Sequence, residues 1–279
     1  MSIIYINPYQ FAAAGPTDPD FANVSLLLHG DGTNGSTTIV DSSSSPKTVT
    51  AFGNAQISTA QSKFGGSSVA FDGTGDYLVS ASNVDFAFGT GDFTIEFWLY
   101  TLTTQASMIL VDLRTSPSQI TPTIFIQGSV VNYYVNSATR IFASTSILAN
   151  TWVHLALARS QGSTRLFING TQSGSTYADS NNYIQSPVYI GARWDGAASL
   201  NGYIDDFRIT KGVARYVSNF TPPTAPFPDV GPTTDPYFAN VSLLLHGDGT
   251  NGSTTVIDSS PSPKTGSVEI GRASCRERV

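Results

Sequence analysis

Residues 92–101 read DFTIEFWLYT, and within them Phe93, Ile95, Phe97 and Leu99 alternate with Thr94, Glu96, Trp98 and Tyr100. A period of two marks a β-strand with one face on a core, so the first set is expected to point inward. Residues 151–159, TWVHLALAR, place Val153, Leu155 and Leu157 on one side and Trp152, His154, Ala156 and Ala158 on the other. Both sides are largely apolar, which predicts a central strand. In STRLFINGTQSGS (163–175) the pair Asn169-Gly170 sits between two β-runs. Asn-Gly readily adopts the positive φ angles of a type I′ turn, which predicts a hairpin. Further strands are expected at 24–28, 68–71, 77–80, 108–112, 123–127, 130–135, 188–190 and 203–210. That many short strands on one core predict an all-β, two-sheet antiparallel jelly-roll sandwich.

Composition agrees. Charged residues make up 12% of the 279, about half the usual share, while Gly numbers 25 and Pro 15. No stretch rich in Ala, Glu, Lys and Leu offers an amphipathic helix. The net charge of −6 and the lack of a Lys/Arg run remove the electrostatic footprint of a nucleic-acid binder. Cys275 is the single cysteine, so the core must hold the fold without a disulfide. The opening MSIIYINPYQFAAAG has no basic leading segment and is interrupted by Asn7-Pro8. It is a poor secretory signal and too short to insert in a membrane.

Residues 18–48, DPDFANVSLLLHGDGTNGSTTIVDSSSSPKT, recur at 235–265 with an offset of 217 and four differences in 31 positions. The period predicts one unit over 18–227 after an N-terminal segment 1–17, a linker at 228–234, and a truncated second start at 235–269. Thr221–Pro228 reads as the proline-rich exit of the first unit. A start of this length cannot bury a core, so Val241 to Leu245 is expected to be exposed. The last ten residues, IGRASCRERV (270–279), bring Arg272, Arg276 and Arg278 and break with the preceding composition. They resemble an in-frame translation of a sequencing-library adapter, which would make the sequence a truncated metagenomic gene and Cys275 non-native.

Five segments in order resemble the laminin-G-like jelly-roll domains of the concanavalin-A-like lectin/glucanase superfamily: KFGGSSVAFDGTGDYL (63–78), DFTIEFWLY (92–100), NTWVHLALARS (150–160), TRLFINGT (164–171) and GYIDDFRITKGVARY (202–216). The resemblance implies two curved sheets with ligands on the concave face or the loop rim. Tandem copies and the SNFTPP exit (218–223) are similar to tail or virion proteins of marine phages, which implies a virion or extracellular location and a homo-oligomeric assembly.

Glycosidases on this fold need two carboxylates across the scissile bond, and the related enzymes carry them in a Glu-x-Asp-x-x-Glu strand. Glu96 is the one glutamate of 18–227 and does not stand in that pattern. Asp205-Asp206 is the only adjacent acidic pair, and alternation predicts opposite faces for the two, Asp205 on the side of Phe207 and Ile209. His29 and His154 lack zinc-ligand spacing, and no nucleophile elbow, P-loop or dinucleotide motif occurs. The chain therefore reads as a non-catalytic binding or adhesion module for a cell-surface glycan. A structural spacer is the alternative, and a glycoside hydrolase ranks third. Sugar recognition calls for an aromatic platform beside hydrogen-bonding groups. Trp194 with Asp195 supplies a loop-borne candidate, and Tyr133 with Tyr134 a strand-borne one. Asp72 and Asp76, flanking two glycines in FDGTGDY, are the candidate calcium ligands or else the corners of a β-turn.

Overall fold

The computed structural model describes residues 16–104 and 107–231, together with positions 243, 258–260, 262 and 263. Its strands are β1 (Val24–Leu28), β2 (Val49–Phe52), β3 (Gln56–Ser58), β4 (Ser68–Asp72), β5 (Tyr77–Asn83), β6 (Phe93–Thr101), β7 (Met108–Asp112) and β8 (Thr123–Gln127). They continue as β9 (Val130–Val135), β10 (Ala138–Ser146), β11 (Trp152–Ser160), β12 (Ser163–Ile168), β13 (Thr171–Gln172), β14 (Tyr177–Ala178), β15 (Ser186–Ile190) and β16 (Asn201–Lys211). Single 3-10 turns at Phe21–Asn23 and Val84–Phe86 are the helical pieces among the described residues.

The strands form two antiparallel sheets. The nine-stranded sheet runs β13-β12-β11-β6-β16-β4-β3, with β1 beside β16 and β14 beside β12; the seven-stranded sheet runs β10-β9-β8-β7-β15-β5-β2. Phe93, Ile95, Phe97 and Leu99 of β6 and Val153, Leu155 and Leu157 of β11 enter the same apolar core as Leu110, Ile126, Val131 and Val188 from the opposite sheet. Each core side chain of this size contributes about 1.5–3 kcal/mol through the apolar area it removes from water, so two facing sheets suffice without a disulfide. Asn169 and Gly170 take φ values of 48° and 76°, as the predicted hairpin requires.

In β16 a register shift breaks the alternation. Asp205 pairs with Trp98 and Arg208 with Glu96, so two residues, Asp206 and Phe207, stand opposite Phe97. This is a β-bulge with Asp206 at φ 49°. The expectation that Asp205 shares a side with Phe207 and Ile209 is therefore corrected. Asp205 lies with Trp98 and Arg208 on the outer face, whereas Phe207 and Ile209 point into the core.

The proline-rich run does not leave the sheet as a bare linker. Tyr216 and Phe220 pack on Ala156, Ala158 and Phe167, and Phe227 joins Val24 and Leu27 in a separate small cluster. Residues 213–228 thus form a strap over part of the nine-stranded sheet's outer face. Asp18 at the unit's start donates its amide to the carbonyl of Val230, 2.9 Å away.

Contacts divide the chain into units 1–231 and 232–279. In the second, Leu243 is exposed, and the Asp258 carboxylate accepts the Ser260 amide at 2.9 Å. Asp41 and Ser43, the corresponding positions of the first copy, make the same bond at the same length. The first fifteen residues, most of 235–269 and the tail 270–279 with Cys275 lie outside the described residues.

Candidate functional site

Directly paired residues of neighbouring strands point to the same side of a sheet. On the seven-stranded sheet one such row runs Tyr134–Thr123–Asp112–Tyr189–Val79 through β9, β8, β7, β15 and β5. Their chain neighbours Tyr133, Ile124, Val111, Ile190 and Leu78 belong to the core, so this row faces outward. Phe52 and Tyr77 extend it as stacked rings 4.7 Å apart, and Tyr77 lies 6.3 Å from Tyr189. Phe52 is 42% exposed, and Tyr77, Tyr189 and Tyr134 are half-buried.

Asp112 organises the middle of this strip. It is fully buried, yet its Oδ1 accepts Arg114 Nε at 2.8 Å and Thr123 Oγ1 at 2.9 Å. Its Oδ2 accepts the second guanidinium nitrogen of Arg114 at 2.9 Å and the Trp194 amide at 3.3 Å. The fork on Asp112 holds the Arg114 guanidinium 5.0 Å from the Tyr134 ring centroid, within range of a cation–π contact. Trp194 sits half-buried in a turn closed by the Gly196 amide on the Arg193 carbonyl. Arg193 binds Asp195 through two bonds of 2.8 and 2.7 Å. That pairing holds the Asp195 carboxyl at about 2.

Of the sequence-predicted binding residues, Tyr134 stands on this strip, and Trp194 and Asp195 lie in the turn that the Trp194 amide ties to Asp112. Tyr133 does not stand on the strip, and its role as an exposed platform is corrected. It is fully buried, with its hydroxyl 2.7 Å from that of Tyr183 and 3.3 Å from Asp179. VVNYYV carries large side chains in both phases, so alternation alone could not choose the tyrosine that faces out. Asp112, Arg114, Tyr189, Tyr77 and Phe52 were not singled out from sequence. They lie on separate strands, and only the pairing register assembles them.

Asp76 gives one carboxylate oxygen to the Asn54 amide at 2.7 Å and the other to the Asp72 amide at 2.9 Å, and Asp72 Oδ1 accepts the Thr74 amide. The pair builds a turn. Among the described residues no three His, Cys, Asp or Glu side chains gather as a metal cage.

The carboxylates of the nine-stranded sheet are committed elsewhere. Glu96 is fully buried and bound by Arg208 at 2.8 Å and by the Tyr216 hydroxyl at 2.7 Å, with His154 Nε2 3.5 Å away. Burial alone would raise its pKa, but Arg208, His154 and Tyr216 more than offset this and hold it at about 2. Asp18 closes the network on Arg208 and Arg215. Asp205 Oδ2 accepts the amides of Lys63 at 2.6 Å and Phe64 at 3.1 Å. Burial pushes its carboxyl up to about 7 against the pull of those amides, helped by the charges of Asp206 and Asp31. Asp206 bonds His29 Nδ1 at 2.7 Å and the Phe227 amide at 2.8 Å. Burial works against the protonated ring of His29, but its bond to Asp206 wins and raises its pKa.

Comparison with known proteins supports the architecture. The chain matches the botulinum neurotoxin serotype D binding domain with a TM-score of 0.53 at 13% identity, over 69% of this chain and 49% of that one. A structure described by the dependence of botulinum neurotoxin type C cell entry on two ganglioside molecules matches at 0.51 and 15%, over 68% and 48%. Domain 4 of AbnA, a GH43 extracellular arabinanase from Geobacillus stearothermophilus in complex with arabinotriose, matches at 0.52 and 16%, over 69% and 94%. The chain spans about half the length of the neurotoxin chains it matches, and identities this low carry the fold alone. No curated protein matches the sequence. The Laminin_G_3 family, described as concanavalin A-like lectin/glucanases superfamily, matches residues 72–214, from the end of β4 to just past β16. With the paired sheets spanning that same stretch, the chain belongs to the Laminin_G_3 family of the concanavalin A-like superfamily.

Proposed function

We propose that this chain is a non-catalytic carbohydrate-recognition module whose site is the aromatic strip around Trp194 on the seven-stranded sheet. The observation that carries the reading is the buried Asp112, which fixes both the Trp194 turn and the Arg114–Tyr134 pair. A platform held in place before the ligand arrives loses little entropy on binding. Arg114 and Arg193 are each matched by an aspartate, so the strip offers rings and polar edges with little net charge, which suits the hydroxyl-rich faces of a glycan. Two of the structural neighbours are described with a ganglioside or an arabinan oligosaccharide, in line with this reading. A non-catalytic role is supported by Glu96, whose ion pairs keep it from serving as a general acid.

The duplicated segment fits display in tandem within a virion appendage or cell-surface protein, where weak sites act together by avidity. The test is a glycan array of the intact chain with and without calcium, repeated with Trp194→Ala. The expected result is a defined glycan class whose binding falls at least about tenfold in the variant. An array with no binder, or a Trp194→Ala protein that binds as the parent does, would sink the reading.

A further inference from the structure

A second ring-lined surface lies on the opposite side of the molecule. Across the nine-stranded sheet the register aligns Gln56, Ala70, Tyr203, Tyr100 and Trp152 in a row over β3, β4, β16, β6 and β11. Tyr100 and Tyr203 have centroids 5.9 Å apart, and Tyr100 and Trp152 5.4 Å apart. All three rings are half-buried. The row lies one pleat beyond Asp205–Trp98–His154. The strap's rings Phe220 and Phe227 reach His154, at 5.7 and 6.5 Å between centroids. The three rings thus form a shelf about 10 Å long, two inter-strand spacings.

At the Tyr203 end the shelf opens into a cavity of about 220 Å³, lined among others by Asn54, Gln56, Asp72, Leu102, Asn201 and Tyr203. The side chains of Asn54, Gln56, Asn201 and Tyr203 make no hydrogen bond within the described residues. Their donors and acceptors stand ready beside rings that offer apolar faces. No lysine or arginine lines the cavity, while Asp72 does, so anionic ligands are disfavoured.

We propose that the Tyr203–Tyr100–Trp152 shelf and its amide-lined cavity form a second carbohydrate site, selective for neutral oligosaccharides: the cavity takes a terminal sugar and the rings take the sugars that follow. This inference rests on the reading of the chain as a glycan binder but not on the Trp194 strip, from which the whole sandwich separates it. A chain with one site on each face could bridge two glycan strands.

The chain has three tryptophans, Trp98, Trp152 and Trp194, so one NMR spectrum of indole N–H signals reports on both sites. Trp98, 5% exposed with Lys63 Nζ 3.9 Å over its ring, serves as the reference. The intact chain is titrated with arabinotriose, cellotriose, laminaritriose and mannotriose after assignment by single Trp→Phe variants. The expected result is a saturating shift of the Trp152 signal with at least one sugar, weakened about tenfold by Trp152→Ala and several-fold by Asn201→Ala, and retained in Trp194→Ala. Asn201→Ala guards against a folding defect, because it leaves the backbone pairing of β16 intact. A Trp194 signal that moves while Trp152 stays fixed overturns the second site and leaves the first. A Trp152 signal that moves alone refutes the Trp194 strip, and two silent signals refute both.

Discussion

Asp205 keeps its proton into the neutral range because burial disfavours its charge, and this links the bulge to stability. Its pKa is about 7 in the folded chain against an ordinary 3.8. Between those values the folded state binds more protons than the unfolded one, so the contribution to stability is present at low pH and is lost as pH rises from about 4 through 7. Glu96 works in the opposite sense. Held at about 2, it contributes stability above its ordinary value of 4.5 that is lost as pH falls towards 2. The chain should therefore be most resistant to heat in mildly acidic solution. Asp205→Asn keeps an acceptor for the Lys63 and Phe64 amides without the charge. It is expected to raise the melting temperature at pH 8 by a few degrees and to change it little at pH 4. Scanning calorimetry of both proteins at the two pH values checks this, and an equal response at both would refute the assignment.

Among the elements, the hairpin at Asn169-Gly170 carries the sharpest expectation. Gly170 has φ 76°, and a Cβ placed there would run into the carbonyl of Phe220, while the Phe220 amide donates to the Gly170 carbonyl at 2.8 Å. Gly170→Ala should cost about 1–3 kcal/mol, read as a lower urea midpoint with an unchanged slope. The strands were legible where they alternate or are strongly apolar: β1, β7, β8 and β9 occupy the residues expected of them. Two kinds of feature were hidden. The edge strand β10 alternates weakly, with Arg140, Ser144, Thr145 and Ser146 along it and breaks in its register with β9, so no periodic signal marked it. The bulge at Asp206 is one residue inserted into a regular pattern, and only its partner strand exposes it. For the same reason Trp194 could be picked out as a loop aromatic, whereas Tyr100, Trp152 and Tyr203 could not be grouped. They stand far apart in the chain and meet through the register of three strands.

At the scale of the whole molecule, the strap makes the exit segment part of the fold. Phe227 is 4% exposed, its ring lies 3.8 Å from the Arg208 guanidinium carbon, and its amide is held by Asp206. Phe227→Ala is expected to destabilise the unit by about 3 kcal/mol and to loosen amide protection around Val24 and Leu27, measured by hydrogen exchange. Protection that stays unchanged there would show that the strap merely rests on the sheet. The same arrangement brings the unit's two ends side by side, joined by the bond from Asp18 to Val230 and by the ion pairs of Asp18 with Arg208 and Arg215. A stretching force applied through the neighbouring chain therefore loads this clasp before it loads the sandwich. Because those few bonds all converge on Asp18, a unit pulled by its ends can lengthen there and absorb a jolt while both ring-lined surfaces keep their shape.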